Sequence, residues 1–167
     1  WLPHANRGRK HLFSRRRPVD VSHEITVETH ALDADDQRLV EDAREATETA
    51  FDPDRWGGAH LVGAAVRTAD DSVYTGVSLP ASVGRASMCA EPVAFGAAVA
   101  DGATAFDAVV AVRHPLPEED RGFEVVPPCG ACRELVVDYG EDIAVVVPHE
   151  GERRTARAAA LLPTRNW

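Results

Sequence analysis

Apolar positions along this chain switch between two periods, and the switches mark out its elements. Leu39, Val40, Ala43, Ala46, Thr47 and Ala50 recur near a 3.6-residue spacing behind Asp35 and Asp36, which predicts a helix over 35–51. Asp52-Pro53 ends it. Two apolar runs follow, 61–67 and 73–79, joined by Thr68-Ala69-Asp70-Asp71-Ser72, and read as a hairpin. Residues 89–100 are helical in composition, with Ala94, Ala97 and Ala98 suited to close packing. Residues 105–112 are almost unbroken in apolar character and predict a strand buried on both faces. A polar loop over 113–121 and a Pro-rich approach lead to Cys129, after which 129–138 suit a helix and 143–147 a second buried strand. Residues 153–162 offer a short strand and a last helical turn. A hairpin needs antiparallel pairing and the later strands need helical crossovers. The predicted fold is therefore α/β, a mixed central sheet of about five strands between helices on both faces.

At 167 residues and 44% apolar content the chain has the size of one domain that buries a core without staples. Residues 1–30 stand apart. They show neither period, mix His4, His11, His23 and His30 with basic residues, and read as a basic, mobile N-terminal extension ahead of a domain over 31–167. The net charge of −9 is unevenly spread, because residues 1–18 hold Arg7, Arg9, Lys10, Arg15, Arg16 and Arg17 and no acid. An acidic body of this kind repels a phosphate backbone, which disfavours nucleic acid as a partner and favours a small-molecule substrate. Lys10 is the only lysine, and an acidic, arginine-using surface suits a salty cytoplasm. No apolar run reaches membrane-spanning length, so the expected location is the cytoplasm.

The three cysteines concentrate the chemistry. Cys89-Ala90-Glu91 and Pro128-Cys129-Gly130-Ala131-Cys132 each open a predicted helix. Cys129 and Cys132, three apart, share one helix face, and the positive end of a helix dipole favours thiolate over thiol. If both helix starts converge, three sulfurs occupy three corners of a tetrahedron around zinc and leave the fourth open, the mark of a catalytic site. Three thiolates give the zinc site a net charge of −1 and weaken its acidifying effect on a bound water, so a base is needed nearby. Glu91, two residues beyond a ligand position, can reach the same space and carry protons. Arg133 is placed either to offset thiolate charge or to form a surface salt bridge.

This paired motif resembles that of the cytidine deaminase superfamily, in its three-cysteine, tetrameric branch, which includes cytidine deaminases and blasticidin-S deaminases. The likeness covers residues 35–167, and Val62-Gly63-Ala64-Ala65-Val66, Thr75-Gly76-Val77, Ala108-Val109-Val110-Ala111-Val112 and Leu161-Leu162-Pro163 fall where the family carries like segments. It implies the three-layer cytidine-deaminase-like fold, zinc held by Cys89, Cys129 and Cys132, Glu91 as proton carrier, and a homotetramer whose neighbouring subunits complete each site. The implied reaction is hydrolytic loss of ammonia from a cytosine-type nucleoside or nucleoside analogue, with attack by a zinc-held hydroxide.

Departures from the family pattern bear on the substrate. Where cytidine deaminases carry an Asn and a Glu to hold the ribose hydroxyl, this chain has Ser78 and Pro80, which makes plain cytidine a poorer fit. His60 takes the place of an aromatic residue ahead of Val62 and offers either a stacking surface or an ordinary half-exposed ring. Arg121-Gly122 resembles the Arg-Gly of blasticidin-S deaminase, whose arginine contacts a carboxylate, and suggests an anionic substituent. Trp167, like the terminal aromatic of that enzyme, is expected over the site. Ala90, Ser78, Arg121, His60 and Trp167 are accordingly the candidate substrate contacts. Four other functions compete: a free-base or other amino-heterocycle deaminase; a structural zinc module, for which no fourth cysteine exists and His114 and His149 lack ligand spacing; a thioredoxin-like redox protein, which leaves Cys89 and Glu91 idle; and a nucleic-acid-binding protein, against which the acidic body speaks.

Overall fold

The computed structural model describes residues 27–165, and within them the order of elements follows the apolar pattern. Helix α1 (Ala34–Ala50) starts at Asp33, whose carboxylate accepts the Asp36 N–H at 2.8 Å while the Asp36 carboxylate reaches back to the Asp33 N–H. This reciprocal cap satisfies two amide groups that the first turn leaves without partners. Helix α1 then turns Leu39, Val40, Ala43 and Thr47 inward.

The sheet is built from β1 (His30–Ala31), β2 (Val62–Thr68), β3 (Val73–Val77), β4 (Phe106–Arg113), β5 (Glu124–Val125), β6 (Ala144–His149) and β7 (Glu152–Arg157). Its order is β1-β7-β6-β4-β2-β3, with β5 pairing the end of β4. Only β4 and β6 run parallel, and helix α3 (Gly130–Tyr139) lies between them in sequence as the crossover such a pair requires. Seven strands replace the expected five or so. The two additions, β1 and β5, are two residues each, too short to leave any alternation in the sequence. Val27 also packs on the core and His30 pairs with Thr155, so ordered contacts begin within the segment read as extension.

One face of the sheet presents Ala65, Ala108, Val110, Val112 and Val146 to α1. The other presents Ala64, Val66, Val109, Ala111, Val145 and Val147 to α2 (Ala90–Ala100) and α3. Central strands that are apolar on both faces are thus explained by helices on both sides. The described residues contain no helix long and apolar enough to cross a membrane.

Two glycines set how closely the helices sit. A Cβ on Gly63 would lie 2.2 Å from the Ala43 carbonyl oxygen, and one on Gly76 would lie 2.5 Å from the Ala94 amide nitrogen. Both clashes are with backbone, which cannot rotate away. Because α2 begins at the Cys89-Ala90-Glu91 motif, Gly76 governs the depth at which that motif rests on the sheet. Gly76→Ala is expected to destabilise the fold by about 1–3 kcal/mol through forced displacement of α2. Urea unfolding checks this, and an unchanged midpoint would show that α2 shifts freely.

Candidate active site

Two helix starts meet at one place. Cys89 is the residue that caps α2 and Cys129 the residue that caps α3, and neither side chain makes a capping hydrogen bond in its own helix's first turn. Their sulfurs stand 3.7 Å apart, Cys129 and Cys132 stand 3.5 Å apart, and the three lie within 4.8 Å of one another. Zinc holds sulfur at about 2.3 Å, and tetrahedral angles then separate two sulfurs by about 3.8 Å, so the trio has the right size for that ion. Among the described residues it is the only group of three or more His, Cys, Asp or Glu able to share one ion, and no fourth such residue joins it.

Electrostatics favour a cation there. Burial pushes the Cys132 thiol far above its ordinary range, and the neighbouring Glu91 carboxylate and the other two sulfurs push in the same direction. Burial and the Cys129 sulfur likewise raise Cys89. Cys129 alone is lowered: burial opposes its ionisation, but the nearby amides of Cys132 and Ala131 and the two adjacent sulfurs outweigh it. Three mutually repelling thiolates become compatible once a divalent ion lies between them.

A cavity of about 280 Å³ opens beside the trio, lined by Val62, Ser78, Ser87, Met88, Cys89, Ala90, Glu91, Val126, Pro127 and Cys129. Cys89 and Cys129 are exposed, Cys132 is buried, and Glu91, 5% exposed, is one of the residues lining the cavity. Pro92 falls in the first turn of α2, where its missing N–H costs nothing, and leaves Glu91 undisturbed. The arrangement sets three sulfurs and one buried acidic residue beside a space large enough for a small ring.

Cys89, Cys129, Glu91, Ala90 and Ser78 thus gather at one cavity, with Cys132 buried behind it in the same sulfur cluster. Other candidates lie differently. His60 is outside the lining; its Nδ1 lies 2.8 Å from the Ser78 carbonyl oxygen, and its own carbonyl accepts the Thr47 hydroxyl at 2.9 Å. Arg121 is also outside the lining, with its guanidinium held by Glu119 at 2.5 Å and Glu124 at 3.0 Å. Within one chain its charge is already matched, so it does not stand free for a substrate carboxylate. Arg133 forms neither expected contact: its Nε donates to the Pro128 carbonyl at 3.0 Å and Nη1 to the Leu161 carbonyl at 3.5 Å, tying the Cys129 turn to the 3-10 turn at Ala158–Leu161. Trp167 lies outside the described residues. His114 is occupied by stacking on Phe51 at 4.0 Å, and Nδ1 lies 2.6 Å from the Pro115 carbonyl oxygen. The apolar wall of Val62, Met88, Val126 and Pro127 leaves little trace in the sequence, whose one signal is the adjacency of Met88 to Cys89 and of Val126-Pro127 to Pro128-Cys129.

No family model matches the chain. It is 39% identical over 144 residues to blasticidin-S deaminase of Bacillus cereus, spanning 84% of this chain and 100% of that protein. It is 30% identical over 131 residues to cytidine deaminase of Sporosarcina psychrophila, spanning 77% of this chain and 89% of that protein. The crystal structure of cytidine deaminase from Burkholderia pseudomallei superposes with a TM-score of 0.61 at 30% identity, over 78% of this chain and 98% of that one.

Proposed function

From the fact that this chain belongs to the cytidine deaminase superfamily, we propose that it is a zinc-dependent aminohydrolase of cytosine-type nucleosides or nucleoside analogues. The observation that carries the reading is the buried Glu91 lining the same cavity as Cys89 and Cys129, two members of the three-sulfur cluster. Cys89, Cys129 and Cys132 would hold the ion. When bound, zinc supplies Lewis-acid polarisation of a water molecule.

Glu91 does the proton work. Its carboxylate oxygen takes a proton from the attacking water and delivers it to the ring nitrogen next to the amino-bearing carbon, then takes the second proton from the hydroxyl now bonded to that carbon and passes it to the amine as the carbon–nitrogen bond breaks. The balance is one water consumed and one ammonia released, with an oxygen in place of the exocyclic amino group. Val62, Met88, Val126 and Pro127 pack against the ring and keep bulk water from the reacting carbon, which strengthens each charge interaction inside.

The substrate class rests on the likeness to deaminases named for blasticidin S and for cytidine. Arg121, paired with Glu119 and Glu124, supports a neutral substituent over an anionic one. Arg121→Ala is therefore expected to change KM for neutral and carboxylate-bearing substrates alike, by less than about threefold. A rise confined to anionic substrates would restore it as a contact. By resemblance we also read the working unit as a homotetramer; light scattering that finds a fully active monomer would refute this. The deciding experiment is ammonia release from the zinc-loaded chain across cytidine, deoxycytidine, blasticidin S, cytosine and guanine. Turnover of the cytosine nucleosides supports the reading. Turnover of only the free bases overturns it in favour of a free-base or other amino-heterocycle deaminase, and zinc held with no turnover at all favours a structural module.

A further inference from the structure

The second half of the metal motif is held by more than its own helix. The Pro128 carbonyl precedes the ladder of α3, which opens with the Arg133 N–H donating to the Cys129 carbonyl at 2.9 Å. Arg133 Nε donates to that Pro128 carbonyl at 3.0 Å. A side chain one turn further on thus fixes the peptide that enters Cys129, and with it the direction in which the Cys129 sulfur leaves the backbone.

The same guanidinium reaches the C-terminal segment, where Nη1 donates to the Leu161 carbonyl at 3.5 Å. Residues 158–165 are docked along their length. The Ala158 N–H donates to the Ile143 carbonyl at 2.9 Å and the Ala159 N–H to the Glu141 carbonyl at 3.0 Å, while Leu161 and Leu162 pack on the core under α3. Arg165 closes the segment: it pairs with Asp138, and its buried Nε stands 3.3 Å from the Glu134 carboxylate, an ion pair not aligned as a hydrogen bond. Glu134 and Asp138 are four residues apart and share one face of α3. With the Arg165 side chain only 19% exposed, salt screens these pairs weakly. Arg133 therefore anchors the segment beside the sulfurs, and Arg165 anchors it about 9 Å further along the helix, at a rise of about 1.5 Å per residue.

We propose that Arg133 is a positioning residue for the metal and that residues 158–165 brace it, so that zinc binding by Cys89, Cys129 and Cys132 and docking of this segment form one coupled equilibrium. This rests on the zinc reading and deepens it. Coupling of this kind is reciprocal: the factor that the docked segment adds to zinc affinity is the factor that bound zinc adds to docking. Groups that orient a metal ligand from behind commonly contribute about 10–100-fold to affinity. Arg133 acting only as a positive charge near the thiolates would give Leu161 and Arg165 no part in metal binding.

The test measures zinc affinity of the full chain by competition with a chromogenic chelator, without substrate. Arg133→Ala should weaken zinc binding by about 10–100-fold, and Arg165→Ala, which removes no group near the sulfurs, by about three- to tenfold. The double variant should fall short of the product of the two losses, as residues acting through one path do. Arg133→Lys keeps the charge but loses the planar fork that serves two carbonyls, and should stay at least about threefold weaker than the parent. In the reverse direction, native-state hydrogen exchange of the Ala158, Ala159, Leu162 and Arg165 amides, read where dilute denaturant has no effect and only local opening contributes, should quicken on zinc removal by about the factor that Arg165→Ala takes from zinc affinity. If Arg133→Ala does not fold, Arg165→Ala and the exchange rates decide alone. Unchanged zinc affinity in Arg165→Ala, full recovery in Arg133→Lys, or exchange that ignores zinc overturns the inference and leaves the deaminase reading standing. An unaltered chain that binds no zinc overturns the zinc reading, and this inference with it.

Discussion

Glu91→Gln is expected to leave the fold and the zinc content unchanged while kcat falls by about 10²–10⁴-fold, the range general acid–base catalysis contributes. Glutamine matches glutamate in shape, and at 5% exposure the site has little room for anything larger. The amide, however, neither takes a proton from water nor returns one to a ring nitrogen or a departing amine. KM should stay within a few-fold, because the cavity's apolar wall is untouched. Removing the negative charge beside Cys132 also relieves repulsion on that thiol, so metal retention should hold or improve. Single-turnover kinetics together with zinc analysis check both halves. A variant that keeps zinc and still turns over at the parental rate places the proton carrier elsewhere.

The elements were legible because their patterns are long and clean. The 3.6-residue recurrence from Leu39 to Ala50 became α1, and the unbroken run from Ala108 to Val112 became a central strand covered on both faces. The paired motif placed Cys89 and Cys129 at helix starts, where they lie. Contacts that depend on where a loop turns back were not legible. Nothing in Arg121-Gly122 announces that Glu119 and Glu124 hold the guanidinium, since those partners lie within three residues and any acidic loop looks the same. Nothing in Arg133 announces that its donors reach backbone carbonyls at Pro128 and Leu161. His60 is the clearest case: a left-handed φ on a non-glycine residue leaves no compositional trace, and it turns the ring toward the Ser78 carbonyl. Types of residue and their spacing carry the metal motif, whereas the substrate wall depends on turns whose geometry is settled by the whole fold.

Cys132→Ser should have the largest effect on the metal. Cys132 is the buried member of the trio, and serine's hydroxyl stays protonated where a thiolate is required. The variant is expected to lose stoichiometric zinc and with it the stability that binding adds to the folded state. Zinc free at about 1,000 times its dissociation constant stabilises by about 4 kcal/mol. For a chain of this size that corresponds to a Tm shift of roughly 8–16 °C, at about 2–4 °C per kcal/mol. Chelator should therefore lower the Tm of the parent by that amount and leave the Tm of Cys132→Ser almost unmoved, so that the two proteins melt together once zinc is gone. This convergence separates metal loss from simple damage to the core: a cavity or packing defect would keep the variant below the parent under chelation as well. The physical reason for so large an effect lies in the crowding of the sulfurs. With burial, a neighbouring carboxylate and two other sulfurs all opposing ionisation of Cys132, a bound ion would be what makes three thiolates at this spacing stable together. A variant that retains one zinc per chain, or a parent whose Tm ignores chelator, would mean that the ion sits elsewhere.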